Sequence, residues 1–153
     1  WRSPTRRCEG FRVVSAVTWL LDTNVVSEAI RPQPNPAVMG NLKRYQGEMT
    51  IAAPVWHELR FGWLRLPEGQ HRDAIGRFVQ DVAGQLPVLP YDASAARIHA
   101  ELRSQRALAG QTLPFVDGQI AAIAIAHGAT LVTRNTKDFA GLQGLRMVDW
   151  FDA

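Results

Sequence analysis

Four acids, Asp22, Glu58, Asp117 and Asp138, fall at boundaries between apolar runs and helical stretches. Their spacings of 36, 59 and 21 residues form no local motif, so only a fold can gather them. Gathered, they repel, since like charges a few ångströms apart raise one another's pKa and destabilise the chain that holds them. A bound cation is the usual remedy. All-oxygen donors suit Mg²⁺ or Mn²⁺, whereas zinc prefers His and Cys. His57, His71, His99 and His127 show no zinc-ligand spacing, and Cys8 is alone. A Mg²⁺ ion held by carboxylates can orient a phosphate, activate a water and stabilise charge on a leaving oxygen. Each acid also has a plainer reading. Asp22 or Asp138 can be a helix cap or turn residue, Glu58 an exposed helix residue, and Asp117 a first-turn acid favoured by the helix dipole.

The elements that must position these acids follow from hydrophobic pattern and breakers. Residues 17–21 form a short apolar run that reads as a buried strand. A helix starts at Asp22-Thr23-Asn24, with Thr23 or Asn24 as its cap, and runs to residue 30. Residues 31–36 (RPQPNP) break the chain. Helices follow over 36–45, with Pro36 in the first turn, and over 54–66 and 70–86, with a strand at 48–53 between the first two. Residues 88–91 are extended. Asp92 caps a helix to 108 that Gly110 ends, and a mostly apolar helix over 113–127 stops at Gly128. A strand at 130–133, a short helix at 135–141 and a strand at 145–149 complete the chain. Short apolar strands alternating with helices predict an α/β fold with a parallel sheet covered on both faces. In such folds ligands sit at the carboxyl ends of strands. Asp22 ends the first strand, Glu58 lies in the first turns of the helix after the second, and Asp138 follows the strand at 130–133. Asp117 opens the helix before that strand.

Bulk numbers narrow the classes. At 153 residues the chain fits one domain. No stretch approaches the roughly 18 consecutive apolar residues of a membrane span. A single cysteine points to a reducing compartment, the cytoplasm. The net charge of +3 suggests a polyanion partner, but residues 1–16 carry Arg2, Arg6, Arg7 and Arg12 against Glu9 and account for all of it. Residues 17–153 hold thirteen cations and thirteen anions. With the four site acids set aside, that region is basic by four, which suits a phosphodiester substrate. Residues 1–16 show no helix or strand period and read as a disordered or non-native tail, leaving 17–153 as the domain. An arm that binds RNA or a partner is the alternative.

The acids lie within longer motifs. Leu20-Leu21-Asp22-Thr23-Asn24, Pro54-Val55-Trp56-His57-Glu58-Leu59, Asp117-Gly118-Gln119-Ile120-Ala121-Ala122-Ile123-Ala124 and Leu131-Val132-Thr133-Arg134-Asn135-Thr136-Lys137-Asp138-Phe139 occur in this order. Together they resemble the four motifs of PIN-domain ribonucleases, chiefly the toxin half of bacterial VapBC-type toxin–antitoxin pairs and their FitB-like branch. The resemblance spans about residues 17–149. It implies a three-layer α/β/α fold with a mostly parallel sheet of about five strands. It implies Mg²⁺, with Mn²⁺ able to substitute, bound chiefly through Asp22 and Asp117, with Glu58 and Asp138 completing the pocket. Thr23, Asn24, Thr133 and Asn135 match supporting polar positions. Endonucleolytic RNA cleavage by metal-activated water, homodimerisation and inhibition by a small cognate antitoxin are also implied, with operator DNA reached only through that antitoxin. Residues 1–16 have no counterpart in the family.

Other residues have double readings. His57 and His99 are expected to pack rather than ligate. Trp56, Phe61, Trp63 and Leu64 divide between core and a dimer or antitoxin face. Arg103 and Arg106 read as a solvated helix face or, less simply, an RNA contact. Arg134 either approaches phosphate or pairs with Asp138 or Asp117. Three other functions compete with the nuclease. A haloacid-dehalogenase-like phosphatase needs a second Asp where Asn24 stands. A nucleotide-binding module needs a glycine-rich loop, and neither G-x-G-x-x-G after the first strand nor a P-loop is present. A subunit that binds an antitoxin on operator DNA and cleaves little is the third, since an intact acidic pocket does not prove turnover.

Overall fold

A computed structural model describes residues 19–152. The expected tail at 1–16 and the first two residues of the expected first strand lie outside the described residues. Five strands form one sheet: β1 (Trp19–Leu21), β2 (Met49–Ala52), β3 (Val88–Leu89), β4 (Thr130–Val132) and β5 (Met147–Val148). Their order is β3-β2-β1-β4-β5 and every pairing is parallel. Trp19 faces Met49 on one side and Thr130 on the other, and Leu21 aligns with Val132. Leu20, Leu21, Ile51, Ala52, Leu131 and Val132 are all buried, as strands covered on both faces require.

Parallel neighbours need crossover connections, and these supply six helices: α1 (Thr23–Glu28), α2 (Pro36–Arg44), α3 (Ala53–Leu64), α4 (Gln70–Asp81), α5 (Ala93–Leu108) and α6 (Phe115–Ala126). The chain runs outward from β1 to β3, then returns to the other side of β1 for β4 and β5. Right-handed crossovers therefore place α1–α4 on one face and α5–α6 on the other, the three-layer arrangement expected. The reversal leaves a switch point between the carboxyl ends of β1 and β4.

Local chemistry accounts for most boundaries. Asn35 caps α2 by accepting from the Ala37 and Val38 amides, with Pro36 in the first turn. Asp92 caps α5 by accepting from the Ala95 amide. Gly110 and Gly128 follow α5 and α6 with φ of +70° and +63°, a conformation that Cβ-bearing residues adopt at a cost. In α6, Ile120 through Ala124 are buried without interruption, so this helix is apolar all round and lies in the core.

Three expectations need correction. The cap of α1 is Asp22, whose carboxylate accepts from the Thr23 amide, whereas Thr23 and Asn24 lie inside the helix. Asp22 leaves β1 in an extended conformation (φ −74°, ψ 160°), so it alone stands at the strand-to-helix turn. The helix expected over 70–86 ends at Asp81, and a 3-10 turn covers Ala83–Gln85. Pro87 biases Leu86 toward extended backbone (ψ 134°), and the break buries Ala83 while Val82 faces solvent. The short helix expected over 135–141 is a 3-10 turn at Thr136–Phe139, with Gly141 at φ +79° behind it.

Candidate active site

Asp22 occupies the switch point. Its amide donates to the Val132 carbonyl (2.9 Å), tying the end of β1 to β4. The side chain is buried, with one oxygen accepting from the Thr23 amide (2.9 Å) and the other from the Thr133 hydroxyl (2.8 Å). Thr133 follows β4 directly and is itself fully buried; its hydroxyl oxygen accepts from the Asn135 amide (3.1 Å). A relay thus runs from the Asn135 N–H through Thr133 to the Asp22 carboxylate. Glu58, on the second turn of α3, accepts from the Thr23 hydroxyl (2.7 Å). Asn24 accepts from the Arg134 amide (3.4 Å) across the same gap. Thr23, Asn24 and Thr133 thus act through their side chains, and Asn135 through its backbone amide.

Asp117 stands in the first turn of α6 and Asp138 in the 3-10 turn after β4. The four acids share one electrostatic environment. Burial raises the Asp22 carboxyl above its usual pKa; hydrogen bonds from Thr133 and Thr23 oppose this, and Glu58 and Asp138 push it up further. Asp117 is raised by burial, then by Asp22, Asp138 and Glu58, with Arg106 the countering charge. Among the described residues, no three acids, imidazoles or thiols converge tightly enough to enclose an ion by themselves. Mg²⁺ needs no such cage, since it keeps several waters and is commonly held by one or two carboxylates. Carboxylates alone, two of them Asp residues with raised pKa, suit such an ion, and zinc poorly.

The PIN-domain family model matches residues 19–145. The chain belongs to the PIN-domain family. Similar proteins include the VapC ribonuclease Y4jK of Sinorhizobium fredii, 37% identical over 80% of this chain and 92% of that one. Toxin FitB of Neisseria gonorrhoeae is 35% identical over 87% of this chain and 99% of that one. Among solved structures, FitAB bound to an IR36 DNA fragment superposes with a TM-score of 0.80 at 31% identity, covering 89% of this chain and 97% of that one.

Around the acids of this PIN domain, Arg106 takes an unexpected role, and Arg134 does not make the carboxylate pair that is one of its two readings. Arg134 pairs with neither Asp117 nor Asp138; its guanidinium lies 4.7 Å from the centroid of the Phe151 ring. Arg106 donates to the carbonyls of Asp138 (3.2 Å) and Ala140 (3.0 Å) and is only partly exposed. It therefore braces the backbone that carries Asp138, a role its place in a polar helix pattern gives no sign of. Arg103 lies over Phe115. Trp56 and Trp63 pack against the core, whereas Phe61 and Leu64 are 58% and 48% exposed. Glu28, which no sequence pattern singles out, is buried, accepts from the Asn35 amide (2.9 Å) and lies 3.6 Å from Arg31. It pins the RPQPNP segment and stands apart from the site. No helix among the described residues is long and apolar enough to cross a membrane.

Proposed function

We propose that this chain is a divalent-metal-dependent endoribonuclease, the toxin of a VapBC-type pair, working through Asp22, Glu58, Asp117 and Asp138. The observation that carries the reading is Asp22, a buried carboxylate held on both oxygens at the switch point, within electrostatic reach of Glu58 and Asp138 and itself raising the pKa of Asp117. Asp22 and Asp117 are the principal ligands. When bound, Mg²⁺ or Mn²⁺ supplies the positive charge that activates water and steadies the leaving oxygen. Thr133 and the Thr23 amide fix the Asp22 carboxylate so that its orientation need not be reset on each turnover. Thr23 holds Glu58 in the pocket, and Arg106 holds the turn carrying Asp138. Relatives named ribonuclease and toxin support RNA as substrate. The FitAB structure on DNA supports a small antitoxin through which operator DNA is reached. The exposed Phe61 and Leu64 suit a homodimer or antitoxin contact, and the cytoplasm is the expected site of action.

Calorimetric titration of Mn²⁺ should show tighter binding to the parent than to Asp117→Asn, and equal affinity would sink the metal assignment. With Mn²⁺ present the parent should cut RNA while Asp22→Asn and Asp117→Asn do not. A parent that cuts nothing, yet represses its operator with a co-purifying partner as well as those variants do, would establish the DNA-autoregulatory alternative.

A further inference from the structure

Asp117 stands in the first turn of α6, and that turn packs against His99 of α5. His99 is only 2% exposed. Its Nδ1 lies 2.8 Å from the Tyr91 hydroxyl, and Phe115 packs edge-on against the ring with centroids 4.8 Å apart. The opposite edge of the ring meets Gly118. A Cβ built on Gly118 would stand 2.5 Å from His99 Cδ2, closer still to Nε2, and 3.2 Å from Leu113 Cδ2. The ring cannot retreat cheaply, being buried and tethered at its far side. The glycine therefore answers to this contact rather than to backbone conformation, since it lies within α6 and its φ is not positive.

Nε2 is buried without a hydrogen-bond partner. If Nδ1 carries the proton and donates to Tyr91, Nε2 is a bare acceptor facing the Gly118 Cα–H, and no N–H is stranded. The other tautomer would bury an unpaired donor, at greater cost. Burial, and then the charge of Arg103, lower the His99 pKa and keep the ring neutral.

We infer that His99 is a positioning residue for Asp117, its ring wedged against Gly118 so that α6 begins where its acid reaches the pocket. The inference rests on the metal-nuclease reading for its consequence, though the wedge itself can be judged separately. Gly118→Ala should lower Mn²⁺ affinity and kcat by at least about tenfold, because ångström-scale misplacement of a catalytic group costs up to about a hundredfold. KM for RNA and the far-ultraviolet circular dichroism should change little. His99→Ala alone should also weaken Mn²⁺ binding, and adding it to Gly118→Ala should recover part of the single variant's loss, since the new methyl then takes up room that the ring has left. Parental affinity in Gly118→Ala, or a double variant no better than the single one, overturns the inference. Should Gly118→Ala fail to fold, Tyr91→Phe decides: the unanchored ring should weaken Mn²⁺ binding about threefold, well within that ceiling, and unchanged affinity overturns the inference. A parent that neither binds Mn²⁺ nor cuts RNA sinks the nuclease reading instead. Melting temperatures then judge the wedge. Recovery in the double variant supports it, and additive losses refute it.

Discussion

Asp22 combines two roles that sequence alone presents as alternatives. It caps α1 and is also the most constrained acid of the pocket. Thr133 carries much of that constraint, so Thr133→Val should destabilise the fold by about 1–3 kcal/mol, the cost of leaving a buried partner unsatisfied, and weaken Mn²⁺ binding. Chemical denaturation and calorimetry check the two effects. Asp117 yields a signed pH prediction. Its native pKa is raised, so the folded state holds the proton more tightly than the unfolded chain. That stabilisation is present below the unfolded value and lost as pH rises through the native one. At neutral pH without metal, the fold therefore carries the cost of burying an ionised Asp117 and, after that, its repulsion by Asp22, Asp138 and Glu58. Asp117→Asn should raise the melting temperature by a few degrees there, and the gain should shrink in acid as the parent's carboxyl protonates. Metal should reverse the order by stabilising mainly the parent. A pH series of thermal melts with and without Mn²⁺ tests both halves.

Elements whose ends are set by residues close by in the chain are legible in the sequence itself. Asp92, Pro36, Gly110 and Gly128 each act on their own turn, so the limits of α2, α5 and α6 can be read within one or two residues. The acids are legible for a related reason: strand ends and helix starts are local events, and a parallel sheet brings them to one edge. Tertiary choices are not. The break at Val82 depends on burying Ala83, and Arg106 finds its carbonyl partners 32 and 34 residues away. His99 looks like any helix residue in the sequence because nothing nearby announces Gly118. Gly76 is a parallel case away from the acids. A Cβ there would stand 2.5 Å from Trp63 Cε2, closer still to Nε1, where α4 crosses α3. Gly76→Ala should cost about 1–3 kcal/mol by overpacking while leaving kcat per folded molecule unchanged. Denaturant melts and active-site-normalised rates separate this from the effect expected at Gly118.

Across the whole molecule, the pocket joins segments drawn from most of the chain. The Thr133 hydroxyl and the Asp22 carboxylate are 111 residues apart, and the Thr133 amide is held in turn by the Val148 carbonyl on β5. A chain ending before residue 130 has Asp22, Glu58 and Asp117 but neither Thr133 nor the strand that presents it. Such a fragment should bind Mn²⁺ no better than Asp117→Asn does, which calorimetry on the two proteins checks. The timing of synthesis follows. A ribosome making this protein carries Asp22, Glu58 and Asp117 before the residue that orders Asp22, and β5 comes later still. On the nuclease reading proposed above, a growing chain therefore cannot order Asp22 until Thr133 and the β5 carbonyl that holds its amide have both been made, so synthesis itself keeps the site idle while most of its acids already exist.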